Sequence, residues 1–142
     1  MNQLLKKMQY KNDNEIIILN IPDELRIDLQ EIFTITKVLS ASEKIKNEIR
    51  YNFILIFVKS ETDVVKHLPL VKNSLMDDGV LWFAYPKKSS KKYSAYISRD
   101  VGWQSLNTLG FLPVRAVSIS IDWSALRFRH IDYIKNLSRT HI

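Results

Sequence analysis

Glu15-Ile-Ile-Ile-Leu-Asn-Ile-Pro-Asp-Glu-Leu25 is the stretch that decides the fold. Ile16 to Leu19 is a continuous apolar, mostly β-branched run, as expected of a strand covered on both faces. Pro22 suits the first turn of a helix, and the pattern predicts one over about 23–31. Leu25 and Leu29 would form its inner face, with Ile32 beyond. A buried strand running straight into a helix is the repeating unit of an α/β sheet. In sheets that hold a nucleotide cofactor, this junction carries glycines that let the ligand approach the backbone. Here the junction is Asn20-Ile21-Pro22. The three glycines are Gly79, Gly102 and Gly110, so the first 78 residues contain none. Asp23 and Glu24 place two carboxylates at the helix start, where they complement the helix dipole and repel an anion.

The same alternation continues along the chain. Residues 1–12 suggest a short amphipathic helix with Leu4, Leu5 and Met8 on one side. Residues 33–39 read as a second strand. Ser40-Ala-Ser-Glu43 fits a capping box for an exposed helix over about 41–50. Phe53-Ile-Leu-Ile-Phe-Val58 is six apolar residues in a row and implies a central strand. Val64, Leu68, Val71 and Leu75 form one helical stripe across 61–76, and Pro69 predicts a kink or two short helices there. Asp77-Asp78-Gly79 reads as the helix end, with Gly79 a left-handed cap. Val80-Leu-Trp-Phe-Ala-Tyr85 is another buried strand. A helix follows over about 99–109, with Asp100 as a candidate cap, Trp103, Leu106 and Leu109 inward, and Gly110 at its end. Residues 114–121 and 124–129 alternate and are spaced to pair as an antiparallel hairpin. Residues 130–142 read as a polar tail. The expected class is α/β: a three-layer, Rossmann-like, mostly parallel sheet with a C-terminal antiparallel hairpin. One domain over 1–142, with its core at about 14–129, is the expected organisation.

Phe53-Ile-Leu-Ile-Phe-Val58, a helix, and then Leu75-Met-Asp-Asp-Gly-Val-Leu-Trp-Phe-Ala84 resemble the second half of a class I S-adenosylmethionine-dependent methyltransferase. That family also ends in a helix and an antiparallel strand pair, as 99–129 would. Trp82-Phe-Ala-Tyr-Pro-Lys-Lys88, Arg99-Asp-Val-Gly-Trp103 and Trp123-Ser-Ala-Leu-Arg-Phe-Arg129 are similar to a group of short bacterial proteins with a methyltransferase-like fold. The resemblance covers roughly residues 14–129 and implies a truncated version of the fold, one strand–helix unit short. The chain departs from the family at the sites of chemistry. Asn20-Ile-Pro-Asp23 replaces the glycine motif. Glu43 alone stands where an acidic residue would hold the cofactor ribose. No Asn-Pro-Pro-Tyr-like motif is present. The resemblance therefore carries over no cofactor-binding residue and implies no cofactor.

The loop Pro86-Lys-Lys-Ser-Ser-Lys-Lys-Tyr93 follows the carboxyl end of a central strand, the edge where α/β sheets bind ligands. Lys87, Lys88, Lys91 and Lys92 could contact phosphates, with Ser89 and Ser90 donating hydrogen bonds and Arg99 completing an anion-binding set. The same residues also describe a solvated loop. Tyr93 and Tyr96 could stack on bases or anchor the loop. Arg115, Arg127 and Arg129 could form a basic stripe on the hairpin, or keep an edge soluble. His67, His130 and His141 are scattered. With no cysteine in the chain, they give no metal site and no thiolate chemistry. No Gly-x-Ser-x-Gly elbow is present.

Charge is unevenly placed. The formal net charge is +6, and residues 86–142 hold ten Lys/Arg against three Asp/Glu. An anionic ligand or nucleic acid is one reading of that excess, and solubility is the other. No apolar run approaches the roughly 20 residues that span a bilayer. Met1-Asn-Gln-Leu-Leu-Lys-Lys-Met8 does not read as a secretory signal, so no membrane partner and a cytoplasmic location are expected. Three functions stay open: a non-catalytic binding or interaction domain, a degenerate enzyme or cofactor binder at the strand ends, and a nucleic-acid-associated protein. Oligomeric state is open as well.

Overall fold

Six strands form one sheet in the computed structural model, which describes residues 2–134. They are β1 (Glu15–Leu19), β2 (Lys37–Leu39), β3 (Tyr51–Phe57), β4 (Leu75–Pro86), β5 (Phe111–Ser118) and β6 (Trp123–His130), in the order β2-β1-β3-β4-β6-β5. The first four are parallel. β6 runs antiparallel to β4, and β5 antiparallel to β6. This is the Rossmann-like α/β sheet with a terminal hairpin that the alternation predicts.

Both faces of the central strands are buried, which is why they read as unbroken apolar runs. On one face Ile16, Ile18, Phe53, Leu55, Val80, Trp82 and Trp123 pack under Leu5, Met8, Leu25, Leu29 and Ile32. Leu5 comes from α1 (Gln3–Lys7), and Ile32 from α2 (Ile32–Ile35). On the other face Ile17, Leu19, Ile54, Ile56, Leu81, Phe83 and Phe128 pack under Val64, Val71, Trp103 and Leu106. Val64 belongs to α3 (Glu61–Lys66), Val71 to α4 (Leu68–Ser74) and Leu106 to α5 (Gln104–Thr108). Each such side chain contributes about 1.5–3 kcal/mol by leaving water.

The break near Pro69 is present. α3 is capped by Ser60, whose hydroxyl accepts from the Asp63 N–H, and by His67 at its other end. Pro69 sits in the first turn of α4, where its missing N–H costs nothing. Several boundaries differ from expectation. Residues 23–25 form a 3-10 turn rather than the start of a regular helix over 23–31; Leu25 and Leu29 are buried, but Ile27 between them is 82% exposed. Residues 32–35 are helical, and the strand is only 37–39, because this edge strand pairs with β1 over three residues. The predicted helix over 41–50 is a 3-10 turn at 42–44 without a side-chain cap. Ile45 is its one side chain packed on the core, and a short helix with one anchor is marginal.

Gly79 is not a helix cap. The helix ends at Ser74, and the excursion at 76–79 bulges between the Tyr51–Leu75 and Phe53–Val80 pairs. Asp78, at φ +52°, takes the left-handed position. The helix predicted from residue 99 begins only at Gln104, since Gly102 at φ +107° stops a right-handed helix. Its cap is Trp103, so Asp100 does not cap it. β5 begins at Phe111 and leaves Ile121 at the hairpin tip, 85% exposed. Of the predicted tail, His130 closes β6 and 131–133 form a 3-10 turn. Residues 135–142, His141 included, lie outside the described residues. No helix among the described residues is long and apolar enough to cross a membrane.

Candidate functional site

The chain leaves β1 toward β2 on one side, then crosses to β3 on the other. Ligands in open α/β sheets bind outside the carboxyl ends of the strands at such a switch point. A cleft of about 590 Å³ lies there, lined by Asn20, Ile21, Pro22, Asp23, Glu24, Phe57, Lys59, Asp63, Lys66, His67, Lys92, Tyr93 and Trp123.

Asn20 makes the turn that glycine makes in cofactor-binding sheets. Its φ is +63°, a left-handed conformation that asparagine tolerates better than most residues. Its side chain then bridges the two strand ends: Nδ2 donates to the Phe57 carbonyl at 3.3 Å and lies 3.3 Å from His67 Nε2. His67 Nδ1 lies 2.8 Å from the Asp63 carbonyl. A hydrogen on Nδ1 satisfies that carbonyl and leaves Nε2 to accept from Asn20, so both ring nitrogens are engaged. Asp63 in turn accepts from the Lys59 N–H at 2.8 Å.

Across the cleft, Glu24 Oε2 accepts from the Tyr93 hydroxyl at 2.6 Å and from the Trp123 indole at 3.1 Å. Lys92 Nζ stands 3.3 Å from Oε1. Burial pushes the Glu24 carboxyl up, but hydrogen bonds from Tyr93, Trp123, its own backbone and Lys92 outweigh it and hold the group at about 2. Burial, and then Glu24 beside it, push the Tyr93 hydroxyl up to about 12. The Tyr93 ring meets Trp123 edge to face at 5.1 Å, and Lys59 Nζ lies 4.9 Å from its centroid. Tyr93 thus anchors the loop, while Tyr96 is 72% exposed.

The lysine loop is divided between two clefts. Lys87, Lys88, Ser89 and Arg99 line a second cleft of about 390 Å³ with Tyr85, Asp100 and Ser124. Lys87 Nζ donates to Ser118 Oγ at 2.7 Å. Ser90 is used structurally: it donates to Asp122 at 2.8 Å and accepts the Lys92 and Tyr93 N–H groups. Lys91 is exposed and lines neither cleft, and Lys92 turns to Glu24. Arg115, Arg127 and Arg129 share a face of the hairpin, but Arg127 is buried, contrary to the reading of all three as solvent-facing. His130 Nδ1 lies 3.4 Å from the Asp132 carboxylate. No group of three metal-ligating side chains gathers among the described residues. The sequence reading missed Asn20 and His67 as partners, because 47 residues separate them and only the β1–β3 pairing joins them.

No protein-family model and no curated protein matches the sequence. Solved structures do match, and several of them are named as methyltransferases. A SAM-dependent methyltransferase from Aquifex aeolicus is 12% identical, with 89% of this chain and 87% of that one covered and a TM-score of 0.55. Ribosomal protein L11 methylase from Lactobacillus delbrueckii subsp. bulgaricus is 12% identical, with 89% and 74% covered and a TM-score of 0.53. The fibrillarin pre-rRNA processing protein of Methanococcus jannaschii is 12% identical, with 84% and 67% covered and a TM-score of 0.50. The fold is therefore methyltransferase-like.

Proposed function

We propose that this chain is a non-catalytic binding domain on a truncated methyltransferase-like scaffold, whose cofactor crevice is closed by its own side chains. The observation that carries the reading is Glu24. Its carboxylate sits in the cleft at the switch point and is already satisfied by Tyr93, Trp123 and Lys92. A ribose hydroxyl would have to displace those donors. The other requirements of S-adenosylmethionine fit no better. Asn20 puts a side chain where the ligand needs bare backbone. Glu43, the acid that follows β2, is exposed and does not line the cleft.

Calorimetric titration with S-adenosylmethionine and S-adenosylhomocysteine tests this. The expected result is no heat of binding. A micromolar dissociation constant overturns the proposal.

The competing reading is a degenerate enzyme or cofactor binder. The cleft volume of about 590 Å³ favours it, since small-molecule pockets run to a few hundred cubic ångströms. The methyl-transfer activity named for the similar structures belongs to this second reading. A ligand that binds Glu24→Ala but not the native chain would make the Glu24 cluster a gate rather than a plug.

A further inference from the structure

The hairpin arginines pose a problem that folding alone does not resolve. Arg115 and Arg127 are directly paired across β5 and β6, and like charges in that position destabilise a sheet. Arg127 is 9% exposed and pairs with no carboxylate among the described residues. Its Nη1 donates to the Gln9 side-chain carbonyl, and its Nε is buried without a partner among the described residues. Burial holds its guanidinium below the ordinary arginine range, and Arg129 and Arg115 push it the same way. Asp78 offsets part of this from a distance, but its two oxygens are hydrogen-bonded to Arg129 at 2.7 and 2.8 Å. Gln9, which covers Arg127, stands at φ +66°, an uncommon conformation for a residue that is not glycine. A neutral amide oxygen satisfies one N–H there and neutralises nothing.

We propose that exposed Arg115 and Arg127, the latter covered by a displaceable Gln9, form a binding site for a phosphoryl group on the hairpin face they share. One phosphoryl oxygen takes the place of the Gln9 carbonyl on Arg127 Nη1, and a second meets Arg115 on the neighbouring strand. Paired residues of an antiparallel ladder lie about 4.5–5.5 Å apart at Cα, so one tetrahedral anion can touch both guanidiniums. A planar carboxylate matches a single guanidinium fork instead. Lys11, two residues beyond Gln9 and close enough to act on Asp78, adds positive charge beside the site. The phosphoryl group can come from free phosphate or from a nucleic-acid backbone. This site is four residues along β6 from Trp123 in the crevice, roughly 13 Å at strand rise. It stands whether or not the crevice binds a cofactor.

The test uses two probes, inorganic phosphate by calorimetry and a labelled single-stranded oligonucleotide by fluorescence anisotropy, on the native chain, Arg115→Ala and Arg127→Met. Each variant is expected to weaken binding at least tenfold. Loss of one phosphate contact should also lower the oligonucleotide salt slope by about one. Arg127→Met should fold at least as well as the native chain, since an apolar residue of similar length suits a buried site. If it does not fold, Arg115→Ala decides alone, because Arg115 is exposed. Phosphate binding that competes with the oligonucleotide supports the site and identifies free phosphate as a sufficient ligand. Length-dependent oligonucleotide binding without phosphate binding supports it and identifies the strand. Failure of both probes to bind the native chain, or unchanged binding in Arg115→Ala, overturns the proposal.

Discussion

Tyr93 and Glu24 are 69 residues apart in sequence and 2.6 Å apart in space, phenolic hydroxyl to carboxylate oxygen. That bond ties the turn after β1 to the loop after β4, across the point where the sheet reverses direction. It also moves the two groups in opposite directions, the carboxyl to about 2 and the phenol to about 12. Both shifts favour the states in which the bond exists: an ionised acceptor and a protonated donor.

Stability should therefore fall on both sides of neutrality. Glu24 is depressed from its ordinary 4.5, so its contribution is present above that pH and is lost as pH falls toward 2. Tyr93 is raised from its ordinary 10.0, so its contribution is full below that pH and is lost as pH rises toward 12. Melting temperatures measured across this range should show a plateau with two flanks. Glu24→Gln should cost about 1.5–3 kcal/mol at neutral pH, the scale of a hydrogen bond to a charged group, lower the plateau accordingly and flatten the acid flank. Tyr93→Phe should flatten the alkaline flank. An acid flank equally steep in Glu24→Gln would remove Glu24 as its cause.

Trp82 gives a second test, at the other end of the buried face. Its indole N–H donates to the Met8 carbonyl at 2.9 Å in a fully buried setting. Trp82→Phe should cost about 2–4 kcal/mol, combining an orphaned carbonyl with lost volume. Amide exchange over residues 3–10 should quicken more than exchange in β3. Unchanged protection of that segment would show that α1 docks through Leu5 and Met8 alone.

The strands were legible because burial on both faces leaves an unmistakable apolar run, as in Phe53 to Phe57. The split at Pro69 was legible because proline's missing N–H is a local fact. The helices were less so. Residues 41–50 carry the right caps and charges, but Ile45 alone meets the core, and helix stability depends on that packing. At the candidate site, the missing glycine loop was readable and the plug was not. Glu24, Tyr93 and Trp123 come from three segments that only the sheet order brings together. Likewise, alternation placed Arg127 opposite Leu126 and Phe128, but could not show that Gln9 would cover it.

Gly110 fixes the entry to the hairpin. Its φ is +93°, and a Cβ there would stand 2.6 Å from His130 Nε2. Gly110→Ala should cost about 1–3 kcal/mol in urea unfolding, the range for strained backbone. Adding His130→Ala should recover the steric part and leave the backbone part. Additive losses in the double variant would show that the ring already yields freely.

The lysine loop and the arginine face make opposite forecasts for one binding experiment. Replacing Lys87, Lys88, Lys91 and Lys92 with alanine removes the Lys87–Ser118 hydrogen bond and the Lys92–Glu24 ion pair. Lys92 is exposed, and exposed pairs contribute at most about 1 kcal/mol, so the variant should melt close to the native chain. Near-physiological salt screens exposed charges beyond about 8 Å. Under those conditions the fourfold variant should keep its oligonucleotide affinity within roughly threefold, because Lys87 and Lys88 line a different cleft and Lys92 already has Glu24. Arg115→Ala should lose at least tenfold in parallel. The reverse order, with affinity lost in the lysine variant and kept in Arg115→Ala, would place the anion site on the loop beside Arg99 and remove it from the hairpin.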